Sequence, residues 1–346
     1  MDDSILEVVD LSVEFSTYGG VVQAVRGVSF SVPRGETLAI VGESGCGKSV
    51  TVQSIMGLIP MPPGRITAGS AKLNGRELLG LSAKETNEFR GTEIGMIFQD
   101  PMTSLNPTMT IGDQIAETLM VHRGQSYGSA ARTAVELMEK TKIPEAGRRV
   151  KQYPFEFSGG MLQRSMIAMS LACNPSILIA DEPTTALDVT IQAQILELML
   201  ELQRTENMSI ILITHDLAVV ARMADEVRVM YGGQIVESGS VEQIFYESAH
   251  PYTLGLREAM PSNRGDLTRQ LAPIEGTPPD LFDPPKGCGY FARCPHAMKL
   301  CEADPPVEFV VTKTPQHRAS CWLQHSMAPG VSSVRQSHHS EGTDDG

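Results

Sequence analysis

The chain has 346 residues, which at about 150 residues per domain corresponds to roughly two domains. Hydrophobic residues make up 41% of the sequence and charged residues 20%, so the composition excludes global disorder and fibrous repeats. The formal net charge is −13 and no Lys/Arg-rich run is present, so the sequence lacks the basic patch that binds a phosphate backbone. We therefore expect no nucleic-acid partner.

The amino-terminal segment carries acidic side chains and no basic one within its first ten residues, unlike a secretory signal. No apolar run approaches the ~18 residues of a membrane span. We expect a chain that is cytosolic or held at a membrane by partners.

The first half of the chain predicts a sheet, a glycine loop and a helical insert. Residues 5–32 alternate apolar and polar positions, which predicts antiparallel strands. An apolar strand at 37–41 precedes a glycine-rich loop, and residues 50–58 have helical spacing. Residues 72–98 suggest further strands, and residues 101–173 predict mainly helices.

The second half alternates strands with helices. Apolar strands at 177–180 and 210–214 are each followed by a helical segment, which predicts a parallel sheet covered by helices. Pro-rich and Cys-rich sequence begins at residue 261, so we predict a domain boundary there and an irregular extension over 261–330. Residues 331–346 predict a disordered tail.

The glycine loop at 42–49 has the spacing G-x4-G-K-S between a strand and a helix, which indicates phosphate binding. Lys48 would reach the β- and γ-phosphates, and the Ser49 hydroxyl would bind Mg²⁺. Cys46 fills a variable position. A plain glycine turn is the alternative. The candidate nucleotide-binding residues here are Gly42, Ser44, Gly45, Cys46, Gly47, Lys48, Ser49 and Val50.

Two carboxylates, Asp181 and Glu182, follow the apolar strand at 177–180, where parallel sheets bind ligands. Asp181 suits Mg²⁺ through water, and Glu182 suits the attacking water as a base or an orienting group. The alternative is that Asp181 caps the next turn.

Three further positions have a functional and a structural interpretation. Ser158, Gly159 and Gly160 precede a helical run and offer a second anion-binding helix end, although a plain helix cap explains Ser158 equally well. His215 could bond a γ-phosphate, or it could be structural. Gln99 has the same two interpretations.

The succession of these motifs resembles the ATP-binding subunits of ABC transporters over about residues 5–250. The resemblance implies an α/β fold whose P-loop nucleotide-binding domain covers residues 1–260. That domain would combine a RecA-like parallel core, an antiparallel β subdomain and a helical subdomain at about 101–173. It also implies a dimer in which Ser158 to Gly160 of one subunit closes over nucleotide held by the other, so that two ATP molecules are sandwiched.

Single residues take roles from the same resemblance. Tyr18 is placed on adenine, with packing inside its own hairpin as the alternative. Asp188 is placed at the dimer contact, Gln99 at Mg²⁺, and Glu182, His215 and Gln99 in catalysis. Met161 stands where the family usually has Gln.

Finer features at residues 98–107, 157–164 and 250–253 resemble the ATP-binding subunits of dipeptide and oligopeptide permeases, up to about His325. The resemblance implies a peripheral subunit on the cytoplasmic face of the membrane. Its partners would be two integral-membrane permeases, a second identical or paralogous ATP-binding subunit and, indirectly, an extracytoplasmic peptide-binding protein. Nickel or glutathione is an alternative cargo.

Four cysteines, Cys288, Cys294, Cys301 and Cys321, lie in the extension with gaps that are loose for a zinc knuckle. The resemblance implies a structural [4Fe–4S] cluster, and zinc is the alternative.

Two rival functions are a soluble ABC ATPase of DNA repair or translation and a non-hydrolysing regulatory subunit. The single cassette and the permease-type extension disfavour the first, and the presence of Lys48, Asp181, Glu182 and His215 disfavours the second.

Overall fold

The computed structural model of the chain describes residues 4–185, 187–260, 273–311 and 316–328. Its strands are β1 (Ser4–Thr17), β2 (Gly20–Pro33), β3 (Thr37–Val41), β4 (Gly64–Leu73), β5 (Arg76–Glu77), β6 (Ile94–Ile97), β7 (Ile177–Asp181), β8 (Ser209–Thr214), β9 (Glu226–Tyr231), β10 (Gln234–Ser240), β11 (Phe309–Val310) and β12 (Arg318–Ala319). Its helices are α1 (Lys48–Ile55), α2 (Ala83–Phe89), α3 (Pro101–Ser104), α4 (Ile111–Arg123), α5 (Tyr127–Lys140), α6 (Ala146–Arg149), α7 (Gly159–Ser170), α8 (Val189–Glu206), α9 (Leu217–Met223), α10 (Val241–Tyr246), α11 (Pro251–Glu258) and α12 (Lys299–Ala303).

The main sheet has the strand order β11-β12-β10-β9-β3-β8-β7-β6. Strands β9, β3, β8, β7 and β6 are parallel to one another, as predicted for the centre of the sheet, and β10 pairs antiparallel with β9. Strands β3, β7 and β8 are buried at every position, because helices or the second sheet cover both faces. Because the strands are parallel, the carboxyl ends of four of them lie at the same edge of the main sheet.

The second sheet is antiparallel, with the order β2-β1-β4-β5. Its apolar face packs against α1 and one face of the main sheet, where Leu6, Val13, Ile40 and Ile213 belong to one buried cluster. The predicted antiparallel strands at 5–32 are confirmed as the β1–β2 hairpin.

The predicted helical insert contains α3 to α7, and its own core joins α4, α5 and α7. The prediction of strands over 72–98 is wrong in part, because α2 lies within that stretch. The signal for α2 was a capping box: Ser82 accepts a hydrogen bond from the backbone of Glu85, whose carboxylate accepts one from the backbone of Ser82.

The carboxy-terminal extension packs on the main sheet. Strand β12 pairs with β10, and Tyr290 lies in the same buried cluster as Tyr231 and Tyr252. The predicted boundary at residue 261 and the predicted tail at 331–346 lie outside the described residues, so the division into domains stays a prediction. None of the helices in the described ranges has both the length and the apolar run needed to cross a bilayer.

Candidate active site

The phosphate loop and the predicted residues Gln99, Asp181, Glu182 and His215 converge at the carboxyl ends of four parallel strands. Gly42 follows β3, Gln99 lies two residues after β6, and His215 follows β8. Asp181 ends β7, and Glu182 is the next residue. Because β3, β8, β7 and β6 are consecutive in the sheet, these side chains share one edge.

The phosphate loop has a backbone that only glycine can adopt at its two ends. A Cβ atom on Gly42 would lie 2.1 Å from the Met230 carbonyl oxygen, and one on Gly47 would lie 2.3 Å from that of Ala24. Gly47 has φ 99° and forms the N-cap of α1, so the free N–H groups of the helix start at the loop. Gly45 and Ser44 are exposed at the crest of the loop.

Lys48 and Ser49 point in two directions from the start of α1. The buried ammonium of Lys48 lies 2.7 Å from the carbonyl oxygen of Gly42 and 2.9 Å from that of Glu43. The Ser49 hydroxyl donates a 2.8 Å hydrogen bond to Oδ1 of Asp181. A hydroxyl and a carboxylate oxygen, both hard ligands, thus meet beside the loop, which suits Mg²⁺.

Glu182 is held by three neighbours. Its Oε2 accepts hydrogen bonds of 3.0 Å from Gln99 Nε2 and from Thr185 Oγ1, and its Oε1 lies 3.2 Å from Nδ1 of His215. Its backbone has φ 47°, an uncommon conformation for a residue other than glycine and one that concentrates at functional sites. These contacts therefore fix the position of the carboxylate.

The two carboxylates differ in their protonation chemistry. Burial raises the pKa of Asp181, and the hydrogen bond from Ser49 acts in the opposite direction. Burial also pushes the pKa of Glu182 upward, but the hydrogen bonds from His215 and Thr185 outweigh it and bring that pKa below its ordinary value. Glu182 is therefore ionised at neutral pH and able to orient a water.

The second predicted anion-binding segment lies at the start of α7. Ser158 is the N-cap of this helix, but its side chain makes no capping hydrogen bond, and both Ser158 and Gly159 are exposed. A Cβ atom on Gly160 would lie 2.7 Å from a methyl carbon of Ile191, so the glycine permits close packing on α8. Among the described residues, none of the hydrogen bonds of the phosphate loop reaches this segment.

Asp188 caps α8 within its own chain, since its carboxylate accepts a 3.0 Å hydrogen bond from the Ile191 backbone. Tyr18 is fully exposed at the tip of the β1–β2 hairpin, so its ring does not pack inside that hairpin. Cys46 is buried, which raises the pKa of its thiol, and Val50 is half-buried in α1. Cys46 and Val50 would therefore contribute backbone groups, rather than side chains, to the predicted nucleotide site.

The four cysteines of the extension come together. Cys301 and Cys321 are buried and Cys288 and Cys294 are half-buried, and all are free thiols. Burial raises the pKa of Cys294 to about 11 and that of Cys321 to about 12, and negative charge on the neighbouring cysteines adds to both shifts. Within the described ranges, no three His, Cys, Asp or Glu side chains are close enough to hold a single metal ion.

Two features of the site were missed by sequence reasoning. Thr185 supports Glu182, and Arg293 of the extension forms an ion pair of 2.6 Å with Glu43 of the phosphate loop. The signal for the ion pair was Glu43 itself, because an unpaired carboxylate in a loop that binds phosphates is unfavourable.

Comparison with protein families gives two matches. The family model described as "ABC transporter" matches residues 25–185, and the model described as "Oligopeptide/dipeptide transporter, C-terminal region" matches residues 236–301. The second match includes three of the four clustered cysteines.

Similar curated proteins cover nearly the whole chain. The Oligopeptide transport ATP-binding protein OppD of Bacillus subtilis is 58% identical over 94% of this chain and 91% of its own. The Dipeptide transport ATP-binding protein DppD of the same organism is 54% identical over 94% of this chain and 96% of its own. The Escherichia coli OppD is 53% identical over 88% and 90%.

Solved structures give the same fold over the cassette. The ATP-binding cassette MJ0796, in a dimeric post-hydrolysis state bound to ADP and Pi, has a TM-score of 0.61 and 26% identity, covering 68% of this chain and 98% of its own. The cbiO1 subunit of Clostridium perfringens, part of the transporter complex cbiONQ, has a TM-score of 0.60 and 27% identity, covering 74% and 96%.

Proposed function

Because the chain belongs to the oligopeptide and dipeptide transport ATP-binding subunits of ABC transporters, we propose that Ser49, Asp181 and Glu182 form its hydrolytic centre. The chain is the ATP-hydrolysing subunit of an importer for dipeptides or oligopeptides. The observation that carries the proposal is the joining of Ser49 to Asp181 at 2.8 Å, next to a Glu182 that is held by Gln99 and His215. The relatives support peptides over the alternative cargoes, nickel and glutathione.

The residues present fit ATP and Mg²⁺. The backbone N–H groups of residues 44–50 would surround the phosphates, and Lys48 would exchange its carbonyl partners for phosphate oxygens. Ser49 and Asp181 would hold the metal, with Gln99 beside it. Mg²⁺, when bound, offsets the negative charge on the β- and γ-phosphates.

Glu182 would orient the attacking water and accept a proton at a carboxylate oxygen. His215 and Gln99 keep the carboxylate in position before nucleotide arrives. Ser158, Gly159 and Gly160 of a second subunit would supply their free N–H groups and the uncapped Ser158 hydroxyl to the same nucleotide, and Asp188 would lie at the contact. Tyr18, exposed at its hairpin tip, would stack on adenine.

Glu182→Gln tests the hydrolytic role. We expect the variant to keep ATP binding and to slow hydrolysis by roughly 10² or more, because the amide cannot accept the proton. The stalled subunit should accumulate as an ATP-bound dimer, measured by size-exclusion chromatography. Glu197→Gln, at an exposed position on α8, is the matched control and should hydrolyse ATP normally. Near-normal turnover of Glu182→Gln in the assembled transporter would contradict the role.

The subunit is part of a larger transporter assembly. It works with two integral-membrane permeases and a second ATP-binding subunit, and an extracytoplasmic peptide-binding protein delivers the cargo. We propose that it is peripheral at the cytoplasmic face of the membrane. Affinity purification from native membranes should recover the permeases with it, and recovery of DNA-repair or translation factors instead would contradict this assignment.

A further part of the proposal concerns Cys288, Cys294, Cys301 and Cys321, which we assign to a structural [4Fe–4S] cluster. Support comes from four thiols within electrostatic reach of one another, in a segment with little secondary structure. The four cysteines would hold the cluster as thiolate ligands, and the cluster would tie the irregular extension together. Zinc is the alternative metal.

Anaerobic purification tests the cluster. We expect iron on metal analysis and a brown protein, and replacing any one of the four cysteines by Ser should remove the iron, because a hydroxyl is a harder and mostly protonated ligand. Cys173→Ser is the control and should keep the metal. Stoichiometric zinc without iron would contradict the assignment.

A further inference from the structure

We propose that Arg293 is a positioning residue for the phosphate loop: it fixes the Glu43 carboxylate, so that this charge neither repels the phosphates nor displaces the loop from the conformation that binds ATP. The inference rests on the proposed function, since it concerns the same nucleotide site. It assigns to the Cys-rich extension a part in ATP binding that acts through Glu43.

The contact is a two-pronged ion pair. Nη1 of Arg293 lies 2.6 Å from Oε2 of Glu43, and Nη2 lies 3.0 Å from Oε1. The Arg293 side chain is 5% exposed and that of Glu43 is 26% exposed, so water reaches the pair only from the Glu43 side. Paired geometry of this kind fixes the orientation of a carboxylate as well as its position.

All five N–H groups of the Arg293 guanidinium have a partner. Besides Glu43, Nε donates to the carbonyl oxygen of Glu275, Nη2 to that of Ile274, and Nη1 to the hydroxyl of Tyr231. The guanidinium carbon also lies 5.8 Å from the centre of the Tyr231 ring. A guanidinium with so many fixed partners is a rigid reference point for Glu43.

Glu43 is bound at three places. Its backbone N–H donates a 2.8 Å hydrogen bond to the Tyr252 hydroxyl, its carbonyl oxygen accepts from Lys48 Nζ, and its carboxylate binds Arg293. The ring of Tyr252 packs on that of Tyr231, with centres 4.5 Å apart. A shift of Glu43 would therefore move the backbone oxygen that orients the lysine for phosphate.

Charge gives a second reason for the pair. Glu43 is the residue after Gly42, so its carboxylate would repel the phosphates that the loop binds. Pairing with Arg293 balances that charge. Loss of Arg293 alone therefore leaves the Glu43 carboxylate unbalanced, so that it repels the phosphates and the loop is no longer fixed. Loss of both charges removes this repulsion.

The test compares Arg293→Gln with Glu43→Gln/Arg293→Gln in the full chain. We expect the single variant to weaken ATP binding by roughly tenfold or more, because small displacements of positioning groups have large effects. The double variant should recover to within about threefold of the wild type, because Tyr252 and Lys48 still hold the backbone at position 43 and no carboxylate is left to repel phosphate. KM for ATP in the assembled transporter should follow the same order, with kcat changing less.

Lys299→Gln removes one positive charge from the same extension at an exposed position and is the matched control. Equal loss of affinity in the single and double variants would overturn the inference, because a purely structural Arg293 is lost in both. Unchanged affinity in Arg293→Gln would overturn it as well. A wild-type chain that binds no ATP would instead refute the proposed function. If Arg293→Gln does not fold, Arg293→Lys keeps the charge without the two-pronged geometry and should still weaken ATP binding.

Discussion

Lys48 carries a buried positive charge that the phosphate loop itself holds in place. Its ammonium group is hydrogen-bonded to the carbonyl oxygens of Gly42 and Glu43. The whole residue is 5% exposed. Phosphate oxygens are stronger partners for an ammonium group than neutral carbonyls are. On the proposed function, Lys48 would therefore exchange carbonyl oxygens for phosphate oxygens without first having to move in from solvent.

Lys48→Ala should weaken ATP binding by about 10- to 100-fold, because hydrogen bonds to charged groups contribute about 1.5–3 kcal/mol each. Isothermal titration with ATP measures this loss directly. Lys84→Ala, at an exposed position on α2, removes an equal charge and should bind ATP normally. Unchanged affinity in Lys48→Ala would show that the lysine does not contact the ground-state phosphates.

That the candidate site residues lie close together was predictable, because their signals are local. Gly42 to Ser49 stand between a strand and a helix, and Asp181 and Glu182 follow a buried strand, so short stretches of sequence place them. Arg293 was not predictable as a partner of Glu43, because the two are 250 positions apart. Only the fold of the extension brings them into contact.

At the scale of the elements, β10 and α11 are joined through one buried carboxylate. Glu237 of β10 accepts hydrogen bonds from the backbones of Ala249 and His250 and lies 2.9 Å from Nε2 of His317. His250 in turn caps α11, with its Nδ1 accepting from the backbone of Tyr252. Neither this junction nor α2 was predicted, since apolar periodicity carries no information on buried polar contacts.

His250 makes the stability of this junction depend on pH. Burial lowers its pKa to about 4, against about 6.5 in the unfolded chain, so below pH 6.5 the unfolded state binds more protons. The stabilising contribution is present above pH 6.5 and is lost as the pH falls toward 4. We expect it to remove about 2 kcal/mol between pH 7 and pH 5.

Urea unfolding of the wild type and of His250→Asn at the two pH values measures this contribution. Asparagine caps helices well and does not titrate, so the variant should lose about 2 kcal/mol less than the wild type on acidification. Parallel pH dependence in both proteins would show that another group is responsible.

At the scale of the whole molecule, the extension and the cassette share one core. Tyr290 packs edge-on against Tyr231 with ring centres 5.2 Å apart, and Ser320 donates a backbone hydrogen bond to Val236. Composition alone suggested a boundary at residue 261, because Pro-rich sequence has few apolar residues of its own. Composition carries no information on whether such a segment packs against the core of another part of the chain.

The single tryptophan reports on the extension, since Trp322 packs beside Phe309 and His325. If the core is shared, Trp322 fluorescence and far-UV circular dichroism, which follows mainly the cassette helices, should unfold with one midpoint in urea. Trp322→Phe identifies the fluorescence signal. Two separate midpoints would show that the extension is an independent domain.

The pairing of Glu43 with Arg293 also sets a time order during synthesis. At roughly 5–20 residues per second, the 250 residues between them take the ribosome roughly 10–50 s. Throughout that interval the growing chain already carries the whole glycine loop but not the cation that holds it. Full affinity for ATP, on the inference above, is therefore reached only when most of the protein has been made and its carboxy-terminal segment has folded back on the first sixth of the chain.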